Sequence, residues 1–155
     1  MKKLIVLAMV VVCIAFIASC GGNKSTDSNV EVEKSDDVST YDPNRGEGKF
    51  TKIDLGASLN AAMADNGEKV YKVKCGSCHK LTEERLVGPG WAGVSTRHTP
   101  EWIMNFTTNP EAMIDKDPKL QAQLELCLVR MPNQNINDDD ARNLLEFMRK
   151  NDGVK

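Results

Sequence analysis

The polarity of this 155-residue chain changes sharply twice along its length. An almost unbroken apolar run covers residues 4–18, and the stretch over residues 21–52 is rich in Ser, Asp, Asn, Lys and Glu. Such a polar stretch buries too little apolar surface to offset the entropy lost on ordering, so we predict a flexible, disordered tether. From residue 53 onwards apolar residues recur at helical spacing between loops marked by Pro and Gly, which indicates a folded domain over residues 53–155.

Four segments of that domain begin with side chains that can cap the first backbone amides of a helix. The predicted starts are Asp65, Thr99, Asp117 and Asn137. The first belongs to a capping box completed by Glu68, and a proline follows the second and the third, as is typical of a first helical turn. No pairs of strands emerge, so the predicted fold class is all-α.

The last two of these helices each carry one apolar face. In the final helix the apolar positions are Ala141, Leu144, Leu145 and Met148. In the helix before it they are Leu120, Leu124, Cys127 and Leu128. This stripe predicts that Cys127 is a small buried hydrophobe, although an unpaired cysteine can also remain a reactive thiol or pair between molecules.

One five-residue segment, Cys75-Gly76-Ser77-Cys78-His79, carries the chemistry of the chain. Two cysteines at this spacing, followed at once by histidine, form the pattern for covalent attachment of a c-type haem. Each thiol can add to one haem vinyl group, and His79 then ligates the iron. We therefore predict one covalently attached haem c, with Cys75, Cys78 and His79 among its binding residues.

Two other kinds of site share part of this pattern. A thioredoxin-like redox pair lies between a strand and a helix, whereas the residues around Cys75 predict helix. Half of a zinc site needs a second ligand pair. The remaining cysteines and histidine form no such pair: Cys13, Cys20, His98 and Cys127. The pattern therefore favours haem.

The N-terminal twenty residues resemble a bacterial lipoprotein signal. A basic start, Lys2-Lys3, precedes the apolar run, which is short for a membrane span and ends in Ile17-Ala18-Ser19-Cys20. We predict a signal peptide over residues 1–19, cleaved before a lipid-modified Cys20, and a linker over residues 20–52. A plain signal peptide and an uncleaved anchor are the alternatives. Lipidation implies a membrane-anchored protein of the bacterial cell envelope, facing the periplasm or the outside of the cytoplasmic membrane.

The charge balance of the chain is acidic. The formal net charge is −2 at pH 7, and it becomes −4 once Lys2 and Lys3 leave with the signal. Nucleic acid is therefore not an expected partner.

The domain resembles the class I cytochromes c over about residues 66–150. That family carries a glycine and an aromatic residue before the attachment motif, then Gly-Pro, a methionine in an irregular loop, and an aromatic residue in the final helix. The matching residues are Gly67, Tyr71, Gly88-Pro89, Met131-Pro132 and Phe147. The resemblance implies a small helical domain wrapped around one haem, whose first and last helices cross at Gly67 and Phe147. It also implies that the carbonyl of Pro89 accepts a hydrogen bond from Nδ1 of His79.

By that resemblance the sixth iron ligand is a methionine thioether, and Met131 is the candidate. Met131 follows a helix and precedes Pro132 in an irregular loop, whereas Met148 belongs to the apolar face of the last helix. The other methionines downstream of the signal lack such a loop: Met63, Met104 and Met113. His98, just before a predicted helix start, is the alternative ligand.

A narrower resemblance is to single-haem cytochrome lipoproteins that accompany nitrous oxide reductases. Its residues are Val87-Gly88-Pro89-Gly90-Trp91, Trp102-Ile103 and Met131-Pro132-Asn133-Gln134. It implies a carrier, not an enzyme, that moves one electron to or from a respiratory complex or periplasmic reductase. Two alternatives stay open: a haem enzyme or gas-binding sensor with a displaceable methionine, and a structural haem subunit of an oxidase or reductase. A soft thioether favours the carrier because it stabilises reduced iron and blocks access to it.

Overall fold

The structure, a computed structural model, describes residues 41–155. These residues form six α-helices: α1 (Ala61–Val70), α2 (Val94–Arg97), α3 (Pro100–Thr108), α4 (Pro110–Lys116), α5 (Pro118–Cys127) and α6 (Asp138–Asn151). A π-helical turn, Tyr71–Cys75, continues α1. Within this part of the chain the only β feature is an isolated bridge between His79 and Arg85, and the all-α prediction is confirmed.

Several predictions concern the N-terminal part of the chain. The signal peptide, the lipid-modified Cys20 and most of the linker fall on residues 1–40, which lie outside the described residues. Within residues 41–155 no helix has the length and apolar character needed to cross a membrane.

Three helices begin where the sequence predicts. The side chains of Thr99, Asp117 and Asn137 accept hydrogen bonds from backbone amides in the first turns of α3, α5 and α6. Pro100 and Pro118 occupy the first helical positions, where a missing amide hydrogen costs nothing. These local signals therefore set where the three helices begin.

Helix α1 begins earlier than predicted. Its first turn is capped by Asn60, whose side chain accepts a hydrogen bond from the amide of Met63. The predicted capping box of Asp65 and Glu68 is therefore wrong, because both residues lie inside the helix. The alanine-rich segment after Asn60 has a high helix propensity and extends the helix back to that cap. Asp65 instead pairs with Lys150 of α6 at 2.8 Å.

Helix α1 crosses α6 at Gly67. A Cβ atom built on Gly67 would lie 2.8 Å from Cβ of Phe147, and closer still to the carbonyl oxygen of Asn143. Packed atoms do not approach so closely, so the crossing requires a residue without a side chain. The predicted crossing at Gly67 and Phe147 is confirmed.

A buried carboxylate links the same two helices. Glu146 of α6 is 0% exposed and accepts hydrogen bonds from Arg142 at 2.6 Å and Arg149 at 2.7 Å. It also accepts a hydrogen bond from the backbone amide of Asn60 at 3.1 Å. Because Asn60 caps α1, this carboxylate ties the start of α1 to the middle of α6.

Residues 41–52 pack against the helices and belong to the folded domain. Asn105 of α3 accepts a hydrogen bond from the amide of Phe50 and donates one to its carbonyl, both at 2.9 Å. The hydroxyl of Tyr41 donates to Asp117 at 2.6 Å. The predicted boundary between the linker (20–52) and the domain (53–155) is thus corrected. The polar composition of residues 41–52 gives no sign of this packing. The segment is held through its backbone, which forms hydrogen bonds with buried polar side chains of the helices.

Gly67→Ala is expected to lower the free energy of unfolding by about 3 kcal/mol. The added methyl group would clash with the backbone carbonyl group of Asn143, which would have to move. Denaturant unfolding of the haem-containing protein measures the loss. Gly56→Ala is the control, because a Cβ atom there meets nothing closer than 3.4 Å. Equal stability of the two variants would contradict the close crossing.

Candidate cofactor site

The attachment motif forms a compact turn at the end of the π-helical segment. The amide of Gly76 donates to the carbonyl of Tyr71 at 2.8 Å, and the amides of Cys78 and His79 donate to the carbonyl of Cys75 at 3.0 Å. The hydroxyl of Tyr71 donates to the carbonyl of His79 at 2.6 Å. The motif therefore follows a helix, unlike a thioredoxin-like pair, which lies between a strand and a helix.

Neither cysteine of the motif forms a disulfide. Cys75 is 7% exposed, and burial raises the pKa of its thiol to about 11. Redox-active cysteines are partly exposed, whereas Cys75 is buried. Cys78 is half-buried in the wall of a cavity.

The imidazole of His79 is oriented by the Gly88-Pro89 segment. Its Nδ1 atom lies 2.8 Å from the carbonyl oxygen of Pro89. Because a carbonyl only accepts, Nδ1 carries the proton and Nε2 keeps its lone pair. A Cβ atom on Gly88 would lie 2.8 Å from Nδ1, so glycine is needed there. Burial lowers the pKa of His79, with the hydrogen bond to Pro89 opposing the shift, and the neutral ring can ligate a metal.

One open cavity brings together four of the five cofactor-binding residues predicted from the sequence. Its wall includes Cys78, His79, Pro89 and Met131. It has a volume of about 90 Å³ and is open to solvent. Cys75 is not part of the lining, although its carbonyl holds the turn that carries Cys78 and His79.

The rest of the cavity wall is mostly apolar. Its apolar members are Val87, Phe106, Ile114, Leu120, Leu124, Val129 and Pro132. Such a wall suits a porphyrin, which buries a large apolar surface. Sequence reasoning did not single out Phe106 or Ile114, since helix-spaced apolar residues look the same in a core and in a cofactor wall.

The end of α5 departs from the predicted apolar stripe. Leu128 has a left-handed backbone, with φ of 60°, and is 84% exposed. The stripe therefore stops at Cys127, which is half-buried and lines the cavity. The prediction of Cys127 as a buried core residue is corrected, because the helix ends before another turn can cover it.

Among the five methionines within residues 41–155, Met131 lines the cavity. Met63 lies in the first turn of α1. The remaining three belong to the core, each 3% exposed or less: Met104, Met113 and Met148. His98, the alternative ligand, stacks on Trp102 with ring centroids 3.8 Å apart and is not part of the cavity lining.

Exposed apolar side chains lie beside the cavity. The described part of the chain exposes six large hydrophobic residues, and five of them come from two segments that line or adjoin the cavity. These five are Leu86, Val87, Leu126, Leu128 and Val129. Val87 and Val129 line the cavity, so a bound haem would contact them, whereas Leu86, Leu126 and Leu128 are not part of this lining.

Comparison with known proteins identifies the family. The model of the Cytochrome c family matches residues 64–152, more than half of the chain, so the chain belongs to the cytochrome c family. It is 31% identical to cytochrome c from Rhodothermus marinus over 68% of this chain and 90% of that chain, with a TM-score of 0.65. An engineered cytochrome c from the same organism is 30% identical over 72% of this chain and 98% of that chain, with a TM-score of 0.67. No curated protein matches the chain.

As a cytochrome c, the chain binds haem c covalently, with its iron. The residues present fit that group: two cysteines in one compact turn with no disulfide between them, a neutral imidazole whose Nε2 atom keeps its lone pair, and an apolar cavity. Membership of this family also indicates electron transfer through the haem.

Cys75→Ala and Cys78→Ala are each expected to leave at most one thioether bond, because each thiol bonds one vinyl group. Haem retained on a denaturing gel, together with the mass of the protein, measures attachment. Cys127→Ala is the matched control: it removes a thiol from the same cavity and should keep both bonds. Normal attachment in both motif variants, or its loss in the control, would overturn the assignment.

Proposed function

We propose that this chain carries single electrons on its haem, and that His79 and Met131 are the two side chains that would ligate the iron. The observation that carries the proposal is the presence of both side chains in the wall of one cavity. The bound haem supplies the one-electron chemistry. The chain supplies a neutral imidazole whose tautomer is set by Pro89, a soft thioether, and an apolar surround.

The lining of the cavity supports a carrier over an enzyme that cleaves peroxide. Such an enzyme needs an acid–base group close to the reacting oxygen. Among the described residues, those that line the cavity include no carboxylate. His98, the one distal base considered from the sequence, stacks on Trp102 instead.

A haem enzyme or gas-binding sensor with a displaceable Met131 is the second candidate. Met131 is half-buried in a segment between α5 and α6 and is not held within a helix. One neighbour, 31% identical, is an engineered cytochrome c from Rhodothermus marinus bound to a carbene intermediate. A structural haem subunit is the third candidate. A carrier is distinguished from such a subunit by fast electron exchange with small mediators.

Met131→Ala is expected to abolish the weak near-red band of sulfur ligation, lower the reduction potential and let cyanide bind. Met63→Ala is the control, because Met63 lies in α1, outside the cavity lining. The unaltered protein should exchange electrons rapidly with mediators and show negligible peroxide turnover, since its iron has no open position. Sustained turnover with the near-red band intact would favour the enzyme. A band lost in His98→Ala but kept in Met131→Ala would reassign the ligand.

The carrier is further proposed to be a lipoprotein of the cell envelope, anchored through Cys20 on the periplasmic or outer side of the cytoplasmic membrane. The small residues before Cys20 and the apolar run before them support this. Its proposed partners are redox proteins, either a respiratory complex or a terminal reductase such as nitrous oxide reductase. The exposed side chains of Leu86, Leu126 and Leu128 suit contact with such a protein, and the acidic chain is not proposed to bind nucleic acid.

Cys20→Ala is expected to move the haem protein from the membrane fraction to the soluble fraction, with its absorption spectrum unchanged, because the variant lacks the lipidated thiol. Cys13→Ala, within the apolar run, is the matched control and should stay in the membrane. Release of the Cys20→Ala protein should also slow its oxidation by membrane-bound partners, because the lipid anchor raises the local concentration of the protein at the membrane. Retention of a cleaved Cys20→Ala protein would indicate a protein anchor instead.

A further inference from the structure

Lys74 connects two segments that are 60 residues apart. It directly precedes Cys75 and is half-buried. Its Nζ atom donates a hydrogen bond to the backbone carbonyl oxygen of Gln134 at 2.8 Å. Gln134 belongs to the Met131 loop, which we define as residues 129–136 between α5 and α6. One ammonium group thus joins the attachment segment to the loop that presents the proposed sulfur ligand.

The Met131 loop has few other polar connections. Among the described residues, its one other hydrogen bond to a different segment runs from Arg130 to Asp115, whose side chains are 48% and 66% exposed. The remaining hydrogen bonds of the loop are internal. Ile136, 7% exposed, packs one end of the loop into the core. The bond from Lys74 is therefore the one half-buried polar link between this loop and another segment.

The other lysines of α1 and the π-helical turn bind side chains three or four residues before them. Lys72 pairs with Glu68 one helical turn away, and its side chain is 67% exposed. Lys69 donates to Asn66, three residues before it. The π-helical turn holds one more residue than an α-helical turn, which changes the direction of the side chains that follow Tyr71. Lys74, in this wider turn, is the lysine that reaches the Met131 loop.

We propose that Lys74 is a positioning residue, whose ammonium group holds the Met131 loop closed against the attachment segment. This inference rests on the proposed ligation by Met131. Opening of the loop breaks a charge-assisted hydrogen bond, which is stronger than a bond between neutral groups. Removal of Lys74 therefore raises the population of the open loop, in which the position of Met131 is free for small molecules.

The test uses the full-length haem protein and two independent measurements. Lys74→Met removes the ammonium group and keeps an unbranched apolar chain. We expect cyanide to bind the oxidised variant about tenfold faster, which corresponds to about 1.4 kcal/mol in the opening equilibrium. Hydrogen exchange of the amides in residues 129–136 should accelerate by a similar factor, and this measurement does not depend on which group ligates the iron.

Two variants serve as controls. Lys72→Met removes the same charge from the same turn, but Lys72 pairs only with Glu68; both rates should stay at the unaltered values. Lys74→Arg keeps a charged donor and should restore most of the closure. If Lys74→Met yields too little haem protein, Lys74→Gln, which keeps a neutral donor, should give a smaller acceleration of both rates.

Each remaining outcome overturns one identifiable statement. Unchanged cyanide binding and amide exchange in Lys74→Met would show that Lys74 does not hold the loop. Equal acceleration in Lys72→Met would attribute the effect to net charge. If the unaltered protein lacks the near-red band and binds cyanide at once, ligation by Met131 fails, whereas the amide exchange rates still decide whether Lys74 holds the loop.

Discussion

The close crossing of α1 and α6 at Gly67 is the contact on which the rest of the site depends. From this crossing, α1 leads through the π-helical turn to Cys75, and α6 follows directly after the loop that carries Met131. A shift of one helix against the other would therefore move His79 relative to Met131. The absent side chain of Gly67 allows the helix backbones to touch, and the buried carboxylate of Glu146 prevents them from sliding. Packing distant from the cavity thus sets the geometry within it.

Buried polar side chains hold other segments of the domain in place through hydrogen bonds. Asn105, Asp117 and Glu146 are each 1% exposed or less, yet all three are fully hydrogen-bonded. In residues 41–155 no buried side-chain nitrogen or oxygen lacks a partner. A small domain that reserves a cavity for a porphyrin has less room for an apolar core of its own. Directional bonds from these groups then fix segments, such as residues 41–52, that apolar packing alone would leave loose.

The sequence predicts the features that depend on neighbouring residues and misses those that depend on residues far apart in the chain. The attachment motif, the caps at Thr99, Asp117 and Asn137, and the all-α class depend on neighbouring residues, and local patterns find them. The packing of residues 41–52 depends on Asn105, more than fifty positions away. The cavity wall draws apolar residues from α3, α4 and α5, which no local pattern separates from core residues. Such long-range contacts can be identified only once the fold is known.

A haem reacts with small molecules only when its iron has an open position, so the frequency of opening matters to the proposed carrier. Under the proposed ligation by Met131, that frequency depends on the stability of the Met131 loop, which lies between α5 and α6. Each 1.4 kcal/mol of loop stability changes the open population tenfold, so a few local contacts decide the chemistry while the global fold stays the same. Electron exchange needs no such opening, because electrons leave through the edge of the haem. A stable Met131 loop therefore suits the proposed carrier, because it keeps small molecules from the iron and leaves electron exchange unhindered.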